Sequence, residues 1–121
     1  MPRPFEVIRL PAFERDLKRL TKKFRTLPED LDVFLDAAIL TKHLHQPDWL
    51  GIVRIDGLGF EEPAFYKAKR FACRCLKGTA GNSGIRVIYK WESSPMRVTL
   101  VEIYYKGEKE NEDRARLRKL A

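Results

Sequence analysis

The sequence predicts an α+β domain in the order β-α-α-β-β-β-α. A helical hairpin would pack on one face of a mostly antiparallel sheet of about four strands. Three observations predict it. Two adjacent segments near the N-terminus carry apolar residues at helical spacing. Three later segments, rich in β-branched and aromatic residues, are separated by a glycine-rich loop and a Ser-Ser-Pro turn. The length of 121 residues suits a single domain, residues 1–121, with a modest core.

Phe5 to Leu10 reads as a short strand, preceded by Pro2 and Pro4 and closed by Pro11. Pro11 suits the first turn of a helix running to about Phe24, because its missing N–H is not needed there. Phe13, Leu17, Leu20 and Phe24 share one helical face. Arg15, Lys18, Arg19, Lys22 and Lys23 fall on the other, which reads as solvated surface in preference to a nucleic-acid contact. Thr26-Leu-Pro-Glu-Asp opens a second helix, whose Glu29, Asp30 and Asp32 complement the positive N-terminal end. Its buried stripe is Leu31, Phe34, Leu35, Ala38 and Ile39. Residues 46–63, with Pro47, Gly51, Gly57, Gly59 and Pro63, read as an ordered connector containing a short strand at Ile52 to Ile55.

Three strands are then expected: Phe65 to Leu76, Ile85 to Trp91 and Arg97 to Tyr105. The last is apolar on both faces and is therefore expected at the centre of the sheet. The segment 77–84 serves as a glycine-rich hairpin loop; it lacks the ending and the strand-to-helix setting of a phosphate-binding P-loop. Lys109 to Leu120 reads as a charged helix or tail anchored by Leu117 and Leu120. The face of the sheet away from the hairpin is expected to be free.

Between Phe65 and Trp91 the chain carries seven basic residues and no acidic one. The formal net charge is also +7, so the remainder sums to zero. Concentrated positive charge on a folded sheet calls for a polyanion, of which nucleic acid is the commonest. No apolar run approaches the roughly 20 residues of a membrane span, and the N-terminal residues lack the apolar core of a secretory signal. Cytoplasm is the expected compartment, with no membrane partner. Cys73 and Cys75 would share a strand face as reduced, buried thiols, since a disulfide across that spacing would distort a strand. With His43 and His45 they make a Cys-x-Cys and His-x-His set, but neither spacing matches common zinc sites, and no metal or other cofactor is expected.

Strand phase sorts the basic stretch. Ile85, Val87, Tyr89 and Trp91 form the natural core side, leaving Arg86 and Lys90 opposite. In the preceding strand, Phe71, Cys73 and Cys75 read as core, which places Arg70 and Arg74 on the same open face as Arg86. Lys67 and Lys69 fall out of phase unless a bulge intervenes. Arginines so placed can grip phosphates bidentately, or stabilise the phosphorane formed when an RNA 2′-hydroxyl attacks its neighbouring phosphate. They can also merely solubilise a sheet, although a solvated face usually mixes signs. With no His in the stretch, a general acid or base would be Lys, Arg, Tyr or a carboxylate.

Tyr-Lys-Ala-Lys-Arg at 66–70, Ser-Gly-Ile-Arg-Val-Ile-Tyr at 83–89 and Val-Thr-Leu-Val-Glu-Ile-Tyr-Tyr-Lys-Gly-Glu-Lys at 98–109 resemble the RelE/ParE superfamily of type II toxins. The resemblance is strongest on the RelE and HigB side and most specific over residues 65–112. It implies a ribosome-dependent endoribonuclease cutting mRNA in the A site, in contact with ribosomal RNA, and a cognate antitoxin protein wrapped around it. It further implies a phosphate-holding role for Arg86 and matches the family's preceding-strand basic residues to some of Lys67, Lys69, Arg70 and Arg74; strand phase makes Arg74 and Arg70 the expected catalytic partners of Arg86. RNA-binding roles fall to Lys67, Lys69, Lys77, Lys90, Lys106 and Lys109. The stretch Glu108 to Arg114 has no tyrosine, where the RelE pattern carries one in its tail, so the general base stays open. The ParE branch of the superfamily inhibits gyrase instead, and a non-catalytic antitoxin- or nucleic-acid-binding relative is the remaining alternative.

Overall fold

The structure is a computed structural model that describes residues 3–76, 78–79 and 81–120. Five strands form one sheet: β1 (Glu6–Arg9), β2 (Ile52–Arg54), β3 (Phe65–Ala68), β4 (Ile85–Ser93) and β5 (Met96–Tyr105), in the spatial order β1-β5-β4-β3-β2. The three helices are α1 (Pro11–Thr21), α2 (Leu27–Leu40) and α3 (Arg114–Lys119), and a π-helical turn, Thr41–His45, extends α2. The α+β class and the helical hairpin agree with expectation. The strand count is five, because Ile52–Arg54 pairs fully with β3 as an edge strand. Three of the four pairings are antiparallel; β1 joins β5 in parallel.

Apolar spacing accounts for the hairpin. Phe13, Leu17 and Leu20 of α1 and Leu31, Phe34, Leu35 and Ile39 of α2 are buried in one cluster with Val87, Tyr89, Val98, Leu100 and Ile103 of the sheet. Pro stands in the first turn of both helices, where it costs no hydrogen bond. β5 is an interior strand, between β1 and β4, and is buried from Val98 to Tyr104, as its two-sided pattern predicts; the middle strand of the five is β4.

The opposite face is not free. Ile55 and Leu58 of the connector and Leu117 of α3 pack on Phe65, Ile88, Val101 and Tyr104, with Phe60 and Leu120 against them, forming a second apolar cluster. Arg116 fastens α3 in place, donating to Asp16 of α1 at 2.8 Å and to the Val101 carbonyl at 3.0 Å. A bulge in β5 serves this face: Ile88 is opposite Glu102 while Tyr89 is opposite Leu100, so Val101 is the extra residue. Val101 packs in the second cluster, and Glu102 beside it accepts from Lys109 and from the Asp113 N–H.

The first strand of the basic stretch is shorter than expected. β3 ends at Ala68, because the N–H groups of Lys69 and Arg70 both donate to the Gly51 carbonyl (2.8 and 3.1 Å) in place of a ladder partner. The chain then turns at Cys73–Leu76, and a buried carboxylate, Asp30 of α2, captures it. Asp30 accepts from Thr26 Oγ1 (2.6 Å), from the Arg74 N–H (3.0 Å) and from Arg74 Nε (3.0 Å). Burial raises the Asp30 pKa, but these donors outweigh it and hold the carboxyl below its ordinary value.

On the hairpin side, the π-helical turn lays His43 on the sheet. Its ring stacks on Trp91 (4.3 Å, 12°), meets Tyr66 edge-on (4.7 Å, 87°) and places Nε2 2.7 Å from the Tyr89 hydroxyl. Burial, and then the neighbouring Lys42 charge, push its pKa down from 6.5 to about 4.

Candidate phosphate-binding site on the sheet

The site begins with a cross-strand pair. Arg86 of β4 stands opposite Tyr104 of β5, and Lys67 of β3 stands opposite Ile88 two residues along. Alternation therefore sends Lys67, Arg86 and Tyr104 to the outer face, where the second apolar cluster ends. These three, with Lys69 and Lys106 just beyond the strands, line a cavity of about 240 Å³ closed by Glu110 and Asn111. Arg86 is steadied by donating from Nη1 to the Lys69 carbonyl at 3.0 Å.

The electrostatics are graded. Lys67 Nζ lies 2.6 Å from Glu112 Oε1, and the other oxygen of Glu112 accepts from Arg114 Nε at 3.0 Å. Burial raises the Glu112 pKa, yet Lys67 first and then Arg114 outweigh it, so the net shift is downward and the carboxylate is ionised at neutral pH. Lys67 thus enters the cavity already neutralised. Among the described residues, Lys69, Arg86 and Lys106 have no carboxylate partner, and they supply the net positive charge. Tyr104 is buried, and its pKa is pushed up to about 12, by burial first and then by Glu112 and Glu102, against a lowering by Arg86. Its phenol is protonated at neutral pH: a donor, and a poor base.

Several expected site residues lie elsewhere. Arg74 is not on the open face; it docks the chain on Asp30 at the start of α2. Arg70 does not line the cavity either. Its guanidinium lies so close to Gly81 that a Cβ there would sit 3.2 Å from Nε. The expected triad Arg70–Arg74–Arg86 therefore does not assemble, because the strand that would have aligned it ends at Ala68. Lys90 shares the face of Arg86, but it is 3.8 Å from Glu92 and lines a separate hollow beside Trp91 and Arg54. Lys109 is held by Glu102 and lies 5.6 Å from the Tyr104 ring centre, behind the cavity wall. Lys77 is outside the described residues. Lys67 and Lys69, whose direction the sequence left ambiguous, both reach the site. Tyr104, Glu110, Asn111 and Glu112 are the site residues that sequence reasoning missed. Only the outward phase of Tyr104 relative to the buried Ile103 hinted at one of them.

The Cys-x-Cys and His-x-His pairs do not meet: His43 lies among aromatics and Cys73 beside Thr26. Among the described residues, no group of three or more His, Cys, Asp or Glu side chains is placed to hold a metal ion. No described helix is long and apolar enough to cross a membrane.

No protein-family model matches the chain, and no curated protein matches it. Among solved structures, the fold is similar to that of a chain in the crystal structure of the archaeal RelE-RelB complex from Pyrococcus horikoshii OT3. The two share 14% sequence identity with a TM-score of 0.51, over 87% of this chain and 98% of that one. The likeness bears out a RelE-like fold.

Proposed function

We infer that the chain is the toxin of a type II toxin-antitoxin pair and acts as a ribosome-dependent mRNA endoribonuclease. The observation that carries this reading is the cavity of Lys67, Lys69, Arg86, Tyr104 and Lys106 on a sheet of RelE-like fold. Its positive charge suits a phosphodiester, and its volume of about 240 Å³ leaves room for one. In the proposed reaction, an RNA 2′-oxygen attacks the adjacent phosphorus and the bond to the 5′-oxygen breaks. The ends left are a 2′,3′-cyclic phosphate, open to hydrolysis to a 3′-phosphate, and a 5′-hydroxyl. Arg86 grips the non-bridging oxygens, and Lys69 and Lys106 add charge as the phosphorane forms. Tyr104, held protonated, donates to a phosphate oxygen. Proton transfer falls to a lysine of the cavity, Lys69 or Lys106, both of which are exposed. The step as written calls on no metal. The antitoxin is the expected protein partner, and mRNA on the ribosome the substrate.

The decisive test is Arg86→Ala, expressed without antitoxin. The expected result is loss of growth arrest and a fall of roughly 100-fold or more in mRNA cleavage on translating ribosomes, with the fold retained. Undiminished toxicity in this variant sinks the assignment. One observation favours a second reading, a ParE-like gyrase inhibitor or a relative that only binds an antitoxin: Lys67 is neutralised and Tyr104 is no base. DNA-damage signalling with intact mRNA would support gyrase inhibition. Antitoxin binding without growth arrest or cleavage by the wild-type chain would support the binding relative.

A further inference from the structure

Cys73 and Cys75 lie outside the cavity, and the proposed RNA chemistry uses neither. On a strand, residues two apart point the same way but stand roughly 7 Å apart along the chain. Here the Leu76 N–H donates to the Cys73 carbonyl at 2.9 Å, closing a turn. The turn brings Cys73 Sγ and Cys75 Sγ to 3.2 Å. α2 holds the turn from below: the Cys75 N–H donates to Thr26 Oγ1 at 3.0 Å, and Asp30 holds both the backbone and the side chain of Arg74 between the two cysteines. The sulfurs are not equivalent. Cys75 is exposed, whereas Cys73 is 3% exposed and lies 3.8 Å from Thr26 Oγ1. One thiol faces solvent, and the second stands directly behind it.

We propose that Cys73 and Cys75 form a redox-reactive dithiol, in which Cys75 is oxidised by a hydroperoxide and Cys73 resolves the product into an intramolecular disulfide. Access selects Cys75 for the first step and proximity selects Cys73 for the second. Their acidities run the same way. Burial raises the Cys75 pKa, but the Cys73 and Thr26 hydrogen bonds together outweigh it and lower it overall. Burial first, then Cys75, push Cys73 up to about 11. In the first step the Cys75 thiolate attacks the hydroperoxide, the O–O bond breaks, an S–O bond forms, and the departing oxygen leaves protonated as an alcohol or water. In the second, the Cys73 sulfur attacks Cys75 sulfenic acid, the S–O bond breaks, and the Cys73 proton leaves with the hydroxide as water. The sum is dithiol plus hydroperoxide to disulfide, alcohol and water. The sulfurs close from 3.2 Å to about 2.05 Å within a turn that Thr26 and Asp30 already hold.

The test treats the reduced full-length chain with one to a few equivalents of hydrogen peroxide and reads intact mass and alkylatable thiols. The expected result is a loss of about 2 Da and of both thiols, in a monomer, reversed by dithiothreitol. In Cys73→Ser, Cys75 should accumulate as a dimedone-reactive sulfenic acid. In Cys75→Ser, Cys73 should stay alkylatable after unfolding. A wild-type chain that gains about 16 or 32 Da, forms reducible dimers, or keeps both thiols overturns the proposal. Oxidation of Cys75→Ser at the wild-type rate overturns the assigned roles.

Discussion

Acidification between neutral pH and about pH 4 should weaken the fold through His43. The ring is stacked on Trp91, and its Nε2 shares a hydrogen bond with the hydroxyl of Tyr89, whose own pKa is raised by burial and then by Tyr66. Protonating the ring places a cation in a site that burial and the nearby Lys42 charge disfavour, while the Tyr89 oxygen can still accept from it. Because the folded pKa is depressed, the stabilisation is present above the unfolded value near 6.5 and is lost as pH falls toward about 4. The shift sets a ceiling of about 3.4 kcal/mol, of which about 2 kcal/mol would be lost by pH 5. His43 is only half-buried, and solvent screening reduces the latter to about 1 kcal/mol. The assay is urea unfolding of the wild type and His43→Gln across this range. Glutamine accepts from Tyr89 but does not titrate. The variant should start about 1 kcal/mol less stable at neutral pH through lost stacking, and its pH dependence should be shallower by about the amount calculated for the wild type. Parallel curves for the two proteins would refute the reasoning, whatever their offset.

Three further outcomes follow from the packing. Glu112→Ala should lower the midpoint of Tyr104 ionisation, read by phenolate absorbance against a Tyr104→Phe control, and cost roughly 2–3 kcal/mol by leaving Lys67 unpaired; an unmoved midpoint would show that Glu112 does not set it. Asp30→Ala should cost roughly 2–4 kcal/mol in denaturant unfolding, through three lost donors, and remove a stabilisation that in the wild type fades only as pH falls through the depressed Asp30 pKa. Gly84→Ala should cost roughly 1–3 kcal/mol, because φ is +87° and a Cβ would sit 3.1 Å from the Tyr105 ring; a thermal midpoint equal to wild type would contradict this.

Local patterning made most of the fold legible. The stripe Phe13, Leu17, Leu20, Phe24 is buried throughout, although α1 ends at Thr21 and Phe24 reaches the core from the following turn. The two-sided apolar run of β5 gave its interior place, one strand from the edge. The end of β3 was not legible, because Phe71, Cys73 and Cys75 keep a strand-like alternation. What breaks the strand is remote in sequence: the Gly51 carbonyl and the Asp30 carboxylate. That break removed Arg70 and Arg74 from the expected site. Charge alone had pointed to all seven basic residues between Phe65 and Trp91, of which Lys67, Lys69 and Arg86 line the cavity. Tyr104 and Glu112 could not be read, since their places depend on cross-strand register, the β5 bulge and the return of the tail.

The parallel pairing of β1 with β5 joins Glu6 to Arg97, about ninety residues apart. During synthesis at about 5–20 residues per second, β1 would wait roughly 5–18 s for its neighbour to be made. Meanwhile the α1–α2 hairpin is complete, but the sheet that covers its apolar stripe is not. Arg86 acquires Tyr104 as its opposite number, and the cavity its Lys106 wall, only once β5 and the residue after it have been made. A chain cut short before β5 therefore lacks both its core and its charge-bearing hollow. The topology makes acquisition of the site wait on the synthesis of β5, with the slow, non-local closure that such strand pairings impose.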